Sequence, residues 1–134
     1  MTLPANVELV REWMRACNGT DAEAAVALCD PAFEMTESPT LPGPASTSGL
    51  DALRRYFAGA QRHWSEWDWQ EEEVRDIPPD KVFVIALLRL RGRRSGIWVE
   101  HRWAYLFTVL DGKLARQDSF DDKAQALAAV GLSE

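Results

Sequence analysis

From Lys81 to Phe120 the chain is written almost entirely in strand-forming residues, and this stretch limits the folds open to it. Lys81–Arg93 is nearly continuous in Val, Ile and Leu, and Gly96–Leu110 is rich in aromatics. Both compositions suit pleated, half-buried surfaces. Asp111-Gly112 then precedes Lys113–Phe120. An Asp-Gly pair between strand patterns is a strong hairpin signal, because both positions accept positive φ. A polar strand over 69–76, closed by Pro78-Pro79-Asp80, comes before them. Short connections of this kind predict a four-strand antiparallel meander.

Upstream the period changes. Val7, Val10, Met14 and Cys17 recur at three- and four-residue spacing within 3–17, with Trp13 flanking them. That spacing predicts an amphipathic helix, which Asn18-Gly19 ends. Thr20, three residues before Glu23, makes a capping-box pattern for a second, alanine-rich helix to about Cys29, stopped by Asp30-Pro31. Phe33–Glu37 alternates apolar and polar as a short strand does. Ser38–Gly49 holds three prolines, two glycines and five hydroxyl residues, so a loop is predicted. A loop of that length suits a functional cover as well as a plain surface connection. Ser48, with Asp51 three positions on, predicts the cap of a third helix with the buried stripe Leu50, Leu53, Phe57, Ala60 and Trp64. Asp121 or Asp122 caps a last short helix that Gly131 ends. With no repeat or internal boundary, residues 1–134 are expected to form one α+β domain.

Composition removes several classes of function. A formal charge of −6 gives no general attraction to nucleic acid or to an anionic membrane. The only dense basic run, RLRGRR at 89–94, lies beside a turn and reads as a solvated hairpin tip. No apolar run is long enough to span a membrane, there is no secretory signal, and the two cysteines lack CxxC spacing. A reduced, cytoplasmic protein is therefore expected. Cys17 falls on the apolar helical face and reads as a small core hydrophobe. Neither His63 nor His101 has a second ligand at metal-binding spacing, so no metal site is expected.

Residues 63–69, HWSEWDW, concentrate three of the six tryptophans. Trp64 completes the stripe of the third helix and reads as core. Trp67 and Trp69 fall at or past the helix end, where they suit a lid over a cavity or an interface.

Four segments carry a likeness to a known family. They are ALCDPAFEMTESP after the paired helices, LPGP and Gly49 before the third helix, the strand running into DGKLARQDSFDD, and the closing ALAAVGL. In order and spacing they resemble the nuclear transport factor 2-like superfamily, in particular its SnoaL-like and ketosteroid-isomerase-like branch. The resemblance spans nearly the whole chain. It implies a cystatin-like fold: a cone-shaped, curved antiparallel sheet packed against three N-terminal helices, with a short C-terminal helix. Its mouth or interior would hold a small, mostly apolar molecule, without a cofactor and often in a homodimer. Members include isomerases, polyketide cyclases, epoxide hydrolases, dehydratases and pure binding modules, so the fold does not choose the function. Position by position, the isomerases' oxyanion-hole tyrosine corresponds to Trp13, their base to Thr36 or Glu37, and their protonated aspartate to a place near Tyr105. The isomerase triad is thus not reproduced. The limonene-type epoxide hydrolases look similar at Asp118-Ser119-Phe120-Asp121, with Asp118 in the place of their catalytic acid. The arginine and aspartate they also need fall near Ala86 and Leu88.

Two-residue alternation groups the side chains further. Val99, His101, Trp103, Tyr105, Phe107 and Val109 share one strand face, taken as inward because it holds the large apolar groups. The same rule groups Arg116, Asp118 and Phe120, and separately Phe33, Met35 and Glu37. Glu37, His101, Tyr105 and Asp118 are then expected to converge on one apolar cavity. Glu37, Asp118 and Tyr105 are the candidate catalytic residues. Trp13, Met35, Phe57, His101, Trp103, Arg116 and Phe120 are the candidate binding residues. A carboxyl group walled by aromatics has a raised pKa and can serve as a general acid or base near neutral pH. A tyrosine or histidine opposite it can polarise a carbonyl. The same residues admit plainer readings: Arg116 and Asp118 as an ion pair, Tyr105 as a core aromatic, Glu37 as solvated. The leading expectation is cofactor-free proton transfer on a small hydrophobic, carbonyl-bearing metabolite. The alternative is a non-catalytic ligand-binding or dimerisation module. A third reading is a protein-interaction adaptor anchored by Trp98.

Overall fold

The computed structural model describes residues 4–37 and 46–132. Four helices, α1 (Ala5–Asn18), α2 (Ala22–Ala27), α3 (Leu50–His63) and α4 (Lys123–Ala128), accompany six strands. The strands are β1 (Cys29–Thr36), β2 (Ser46–Ser48), β3 (Trp64–Ile77), β4 (Lys81–Gly92), β5 (Trp98–Leu110) and β6 (Lys113–Phe120). They form one curved, unclosed sheet in the order β2-β1-β6-β5-β4-β3. The α+β class stands as expected. The sheet is mixed rather than wholly antiparallel, because β1 runs parallel to β6. β3 to β6 form the meander, and Asp111 and Gly112 both take positive φ at its last turn, as an Asp-Gly hairpin requires.

The long apolar run of β4 is explained by burial on both faces. Val82, Val84 and Ala86 face the main core with Trp103, Tyr105, Phe107 and Val109 of β5, beneath the helices α1–α3. Phe83, Ala104 and Leu106 face the other way and pack against Ala126 and Leu127 of α4. Asp122 caps α4 by accepting from the Gln125 N–H.

Local signals near three helix ends misled. Thr20 takes a left-handed φ of 50°, and its hydroxyl donates to the Gly19 carbonyl. The extended Asp21 therefore caps α2, accepting from the Ala24 N–H at 3.0 Å. Ser48 ends β2 and cannot cap α3. Gly49 does so with its backbone at φ 86°, a conformation that suits glycine. The chain enters β1 at Cys29, and the register irregularity between Cys29 and Glu34 accommodates Pro31. Of the expected loop, 46–48 is strand and 38–45 lies outside the described residues.

Trp64 is not part of the α3 stripe. It is the first residue of β3, which starts five residues earlier than its polarity suggests. The basic run is also more than a solvated tip. Arg93 donates through its backbone N–H to the His63 carbonyl and through its guanidinium to the carbonyls of Gln61 and Trp64. These bonds satisfy carbonyls that the end of α3 leaves without helical partners.

Candidate functional site

Between the concave face of the sheet and the helices lies a cavity of about 480 Å³. That is the size of a small-molecule pocket. Its floor is Met35 and Glu37 from the end of β1, with Gln117 and Ser119 of β6. Trp13 and Cys17 of α1, and Tyr56 and Phe57 of α3, form the helical wall. Leu88, Leu90, His101, Trp103 and Tyr105 come from β4 and β5, and Trp64, Trp67 and Trp69 from β3.

The three tryptophans share this wall because of a β-bulge. Trp64 pairs with Gly92 and Glu66 with Arg91, so Ser65 is the extra residue. The bulge brings Trp64 onto the face already occupied by Trp67 and Trp69. All three rings therefore border one space, against the expectation that Trp64 is packing and the other two a lid or an interface. Trp69 is only 5% exposed. Its ring meets Tyr105 edge-on at 5.1 Å. Its backbone, on the edge strand, is held by Asn18, whose amide donates to the Trp69 carbonyl at 2.9 Å and accepts from its N–H at 2.7 Å.

Glu37 faces this aromatic enclosure, and Thr36 does not. Burial raises the Glu37 carboxyl above the ordinary glutamate range. Thr36 points to the opposite side, where its hydroxyl donates to Asp118 at 2.6 Å. Burial likewise pushes up the hydroxyls of Tyr105 and Tyr56, and the charge of Glu37 adds to both shifts. Each phenol is thus a neutral donor at physiological pH. Trp13 Nε1 donates to Gln117 Oε1 at 2.9 Å in the buried core. His101 sits at the rim with its ring 3.9 Å from that of Trp103.

Seven of the expected residues line the cavity: Glu37, Tyr105, Trp13, Met35, Phe57, His101 and Trp103. Arg116, Asp118 and Phe120 do not, and the reason is a second bulge. Thr108 pairs with Arg116 but Val109 with Leu114, so Ala115 is the extra residue in β6. Beyond it the parity reverses. Gln117 and Ser119 turn inward, opposite Phe107 and Tyr105. Phe120 instead packs into the cluster under α4. Asp118 accepts from the Arg116 guanidinium at 2.9 Å, and Arg116 also bonds Glu34 at 2.7 Å. The ion-pair reading of Arg116 and Asp118 is the one the geometry bears out, and Asp118 is removed from the list of cavity carboxylates. Tyr56, Gln117 and Ser119 escaped sequence reasoning. Tyr56 lies beside the α3 stripe, and nothing in the strand pattern marks a bulge at Ala115.

Among the described residues, no group of three His, Cys, Asp or Glu side chains is close enough to hold a metal ion, and no helix is long and apolar enough to cross a membrane. The SnoaL-like domain family matches residues 10–117. The chain belongs to the SnoaL-like family. Its relatives by structure agree on the fold. The delta 5-3-ketosteroid isomerase from a Mycobacterium species is similar at a TM-score of 0.77 and 16% identity, covering 90% of this chain and 95% of that one. A Mycobacterium tuberculosis protein in complex with estradiol-17beta-hemisuccinate is similar at a TM-score of 0.77 and 17% identity, over 90% and 95%. A putative polyketide cyclase from Sinorhizobium meliloti is similar at a TM-score of 0.66 and 24% identity, over 88% and 95%. Among curated proteins none matches the chain.

Proposed function

We propose that this SnoaL-like protein binds a small hydrophobic, carbonyl-bearing molecule in the cavity, and that Glu37 moves a proton beside that carbonyl. The observation that carries the reading is a carboxyl group whose affinity for a proton is raised by burial in an aromatic cavity. A base poised nearer neutrality transfers protons more effectively than an ordinary glutamate. In the reaction Glu37 takes the proton from the carbon next to the carbonyl; the electron pair of the C–H bond forms a carbon–carbon double bond, and the π pair of the carbonyl moves onto its oxygen to give an enolate. Return of the proton to the same or a conjugated carbon completes exchange or isomerisation. Tyr105, held neutral by burial, supplies a hydroxyl donor in the same cavity. His101 and Trp103 orient the substrate at the rim. Two structural neighbours, a ketosteroid isomerase and a protein in complex with an estradiol derivative, fall in the same chemical range.

The test is deuterium exchange at the α-carbons of β-tetralone, a bicyclic ketone, followed by NMR in heavy water. The wild-type protein is expected to accelerate exchange over buffer. Glu37→Gln is expected to lower that acceleration by about a hundredfold or more, the usual contribution of a general base. Exchange undiminished in the variant would sink the role of Glu37. Binding without any acceleration would favour the non-catalytic module.

A homodimer belongs to the same reading. Ile97, Trp98 and Val99 are 64%, 40% and 47% exposed in succession at the start of β5. Light scattering at twice the chain mass supports it, and a single-chain mass argues against it.

A further inference from the structure

The charges around the cavity are one-sided. Its charged side chains are Glu37 and Glu100, with His101 at the rim, and among the described residues no lysine or arginine lines it. Glu100 is met by Arg89 at 3.3 Å. Glu37 makes no ion pair or hydrogen bond among the described residues, and its carboxyl oxygens keep accessible surface. The cavity thus holds one carboxyl group with nothing in the protein to balance its charge.

The wall around that carboxyl is aromatic rather than merely apolar. Five of the six tryptophans border the cavity, together with Tyr56, Phe57 and Tyr105. The sixth, Trp98, lies outside and already meets a cation, the Arg89 guanidinium at 4.6 Å from its ring centre. Aliphatic side chains would serve a neutral hydrocarbon equally well. Tryptophan adds an electron-rich ring face, which attracts a cation and repels an anion. A carboxylate ionised alone in such a space bears a desolvation cost, which a cation brought by the ligand offsets.

We propose that the ligand of this cavity is an organic cation, a carbonyl compound bearing a tertiary or quaternary ammonium group that lodges among the aromatic rings with the Glu37 carboxylate as its counter-charge. The inference rests on the reading of this cavity as the site of a carbonyl ligand and adds the charge of that ligand. An ammonium next to the carbonyl serves both readings. The carboxylate that balances it is then the base, and the carbon between the two groups is acidified by each.

Binding of such a cation is linked to the proton on Glu37. Burial raises this carboxyl above the ordinary glutamate range. Affinity for a cation therefore rises with pH through that range and levels off above the folded-state value. The other titratable groups around the cavity are Cys17 of α1, Tyr56 of α3 and Tyr105 of β5, all kept neutral by burial, and Glu100 and His101 at the rim. Arg116 is tied to Asp118 and Glu34 on the far face of the sheet. His101 gains charge as pH falls, so Glu37→Gln is needed to separate the two.

The experiment is a calorimetric titration with phenacyltrimethylammonium, neopentyl phenyl ketone and β-benzoylpropionate. All three are phenyl ketones, and they are respectively cationic, neutral and anionic. A plain apolar cavity prefers the neutral compound, which is the easiest to desolvate. Above the folded-state value of Glu37, the cation is instead expected to bind about tenfold more tightly than its neutral isostere, and the anion more weakly than either. Glu37→Gln is expected to weaken the cation about tenfold, the effect of losing a charged partner. It should leave the neutral ketone within about twofold and flatten the rise with pH. Trp64→Leu keeps an apolar side chain at a half-buried position and loses the ring. It is expected to weaken the cation about fivefold and to leave the neutral ketone within about twofold. If Glu37→Gln fails to fold, the wild-type pH profile and Trp64→Leu carry the test. Equal affinity for the cation and the neutral ketone, or equal losses for both in the variants, would overturn the proposal while the carbonyl-binding reading stands. Binding of neither ketone would overturn both.

Discussion

Glu37 shows at the scale of one residue how environment decides chemistry. Desolvation is the cause of its raised pKa, so the folded protein holds this proton at a pH where the unfolded chain has released it. The unfolded state then binds fewer protons, and stability falls as pH rises from the ordinary glutamate range through the folded-state value. Glu37→Gln removes that dependence. Thermal melts are therefore expected to show the variant gaining on the wild type above the window, with no gain at pH values below the ordinary glutamate range. A gain independent of pH would place the cause elsewhere. The thiols go the other way in usefulness. Burial pushes Cys29 up to about 12 and Cys17 further, so both are packing groups rather than nucleophiles. That much was legible, since Cys17 lies on the apolar stripe of its helix. Tyr56 was not, because its place at the cavity depends on which way α3 is rotated against the sheet.

At the scale of elements, the bulges at Ser65 and Ala115 decide which side chains reach the cavity. A slip of one residue moves a whole strand's side chains to the other face. One bulge recruits Trp64, and the other exchanges Asp118 for Gln117 and Ser119. β3 is an edge strand, and Asn18 at the end of α1 acts on it as a short stand-in for a neighbouring strand. Asn18→Ala leaves one N–H and one carbonyl of Trp69 without that partner, at a cost of about 1–3 kcal/mol. Urea unfolding measures it. A loss below a few tenths of a kcal/mol would mean that water replaces the side chain. In the sequence the glutamate run 71–73 reads only as part of a polar strand. The bulge between Glu71 and Glu73 sends Glu71 to Arg11 of α1 and Glu73 to Lys123 of α4, while Glu72 meets Arg102 of β5.

At the scale of the whole molecule, the sheet separates two apolar regions with different tasks. The concave side carries the cavity and most of the core, and the convex side is sealed by α4. Leu127, 1% exposed, packs only in the second region. Leu127→Ala is expected to cost about 2–5 kcal/mol, the range for a large-to-small core change. Unfolding measurements check that cost. Binding of β-tetralone by the remaining folded protein should stay within about twofold, since a loss of less than half a kcal/mol is ordinary for a distant site. A parallel collapse of affinity would show that the two sides are coupled through the sheet.

The amino-acid sequence by itself determined most of the elements and their order, β2 excepted. Helical and strand periods, the Asp-Gly turn and the apolar faces of α1, β4 and β5 are local patterns, and local backbone preference with burial is enough to produce them. It also grouped Tyr105 with His101 and Trp103, and Glu37 with Met35, because alternation holds wherever a strand is regular. Only the tertiary structure decided the parallel docking of β1 on β6, the rotation that exposes Tyr56 to the cavity, and the two bulges. Each depends on partners distant in sequence, and a bulge is defined by the strand it fails to match. For that reason Asp118 read as a cavity acid and proved to be paired on the far face. Trp64, which the sequence set apart from Trp67 and Trp69, came to border the same space as they do.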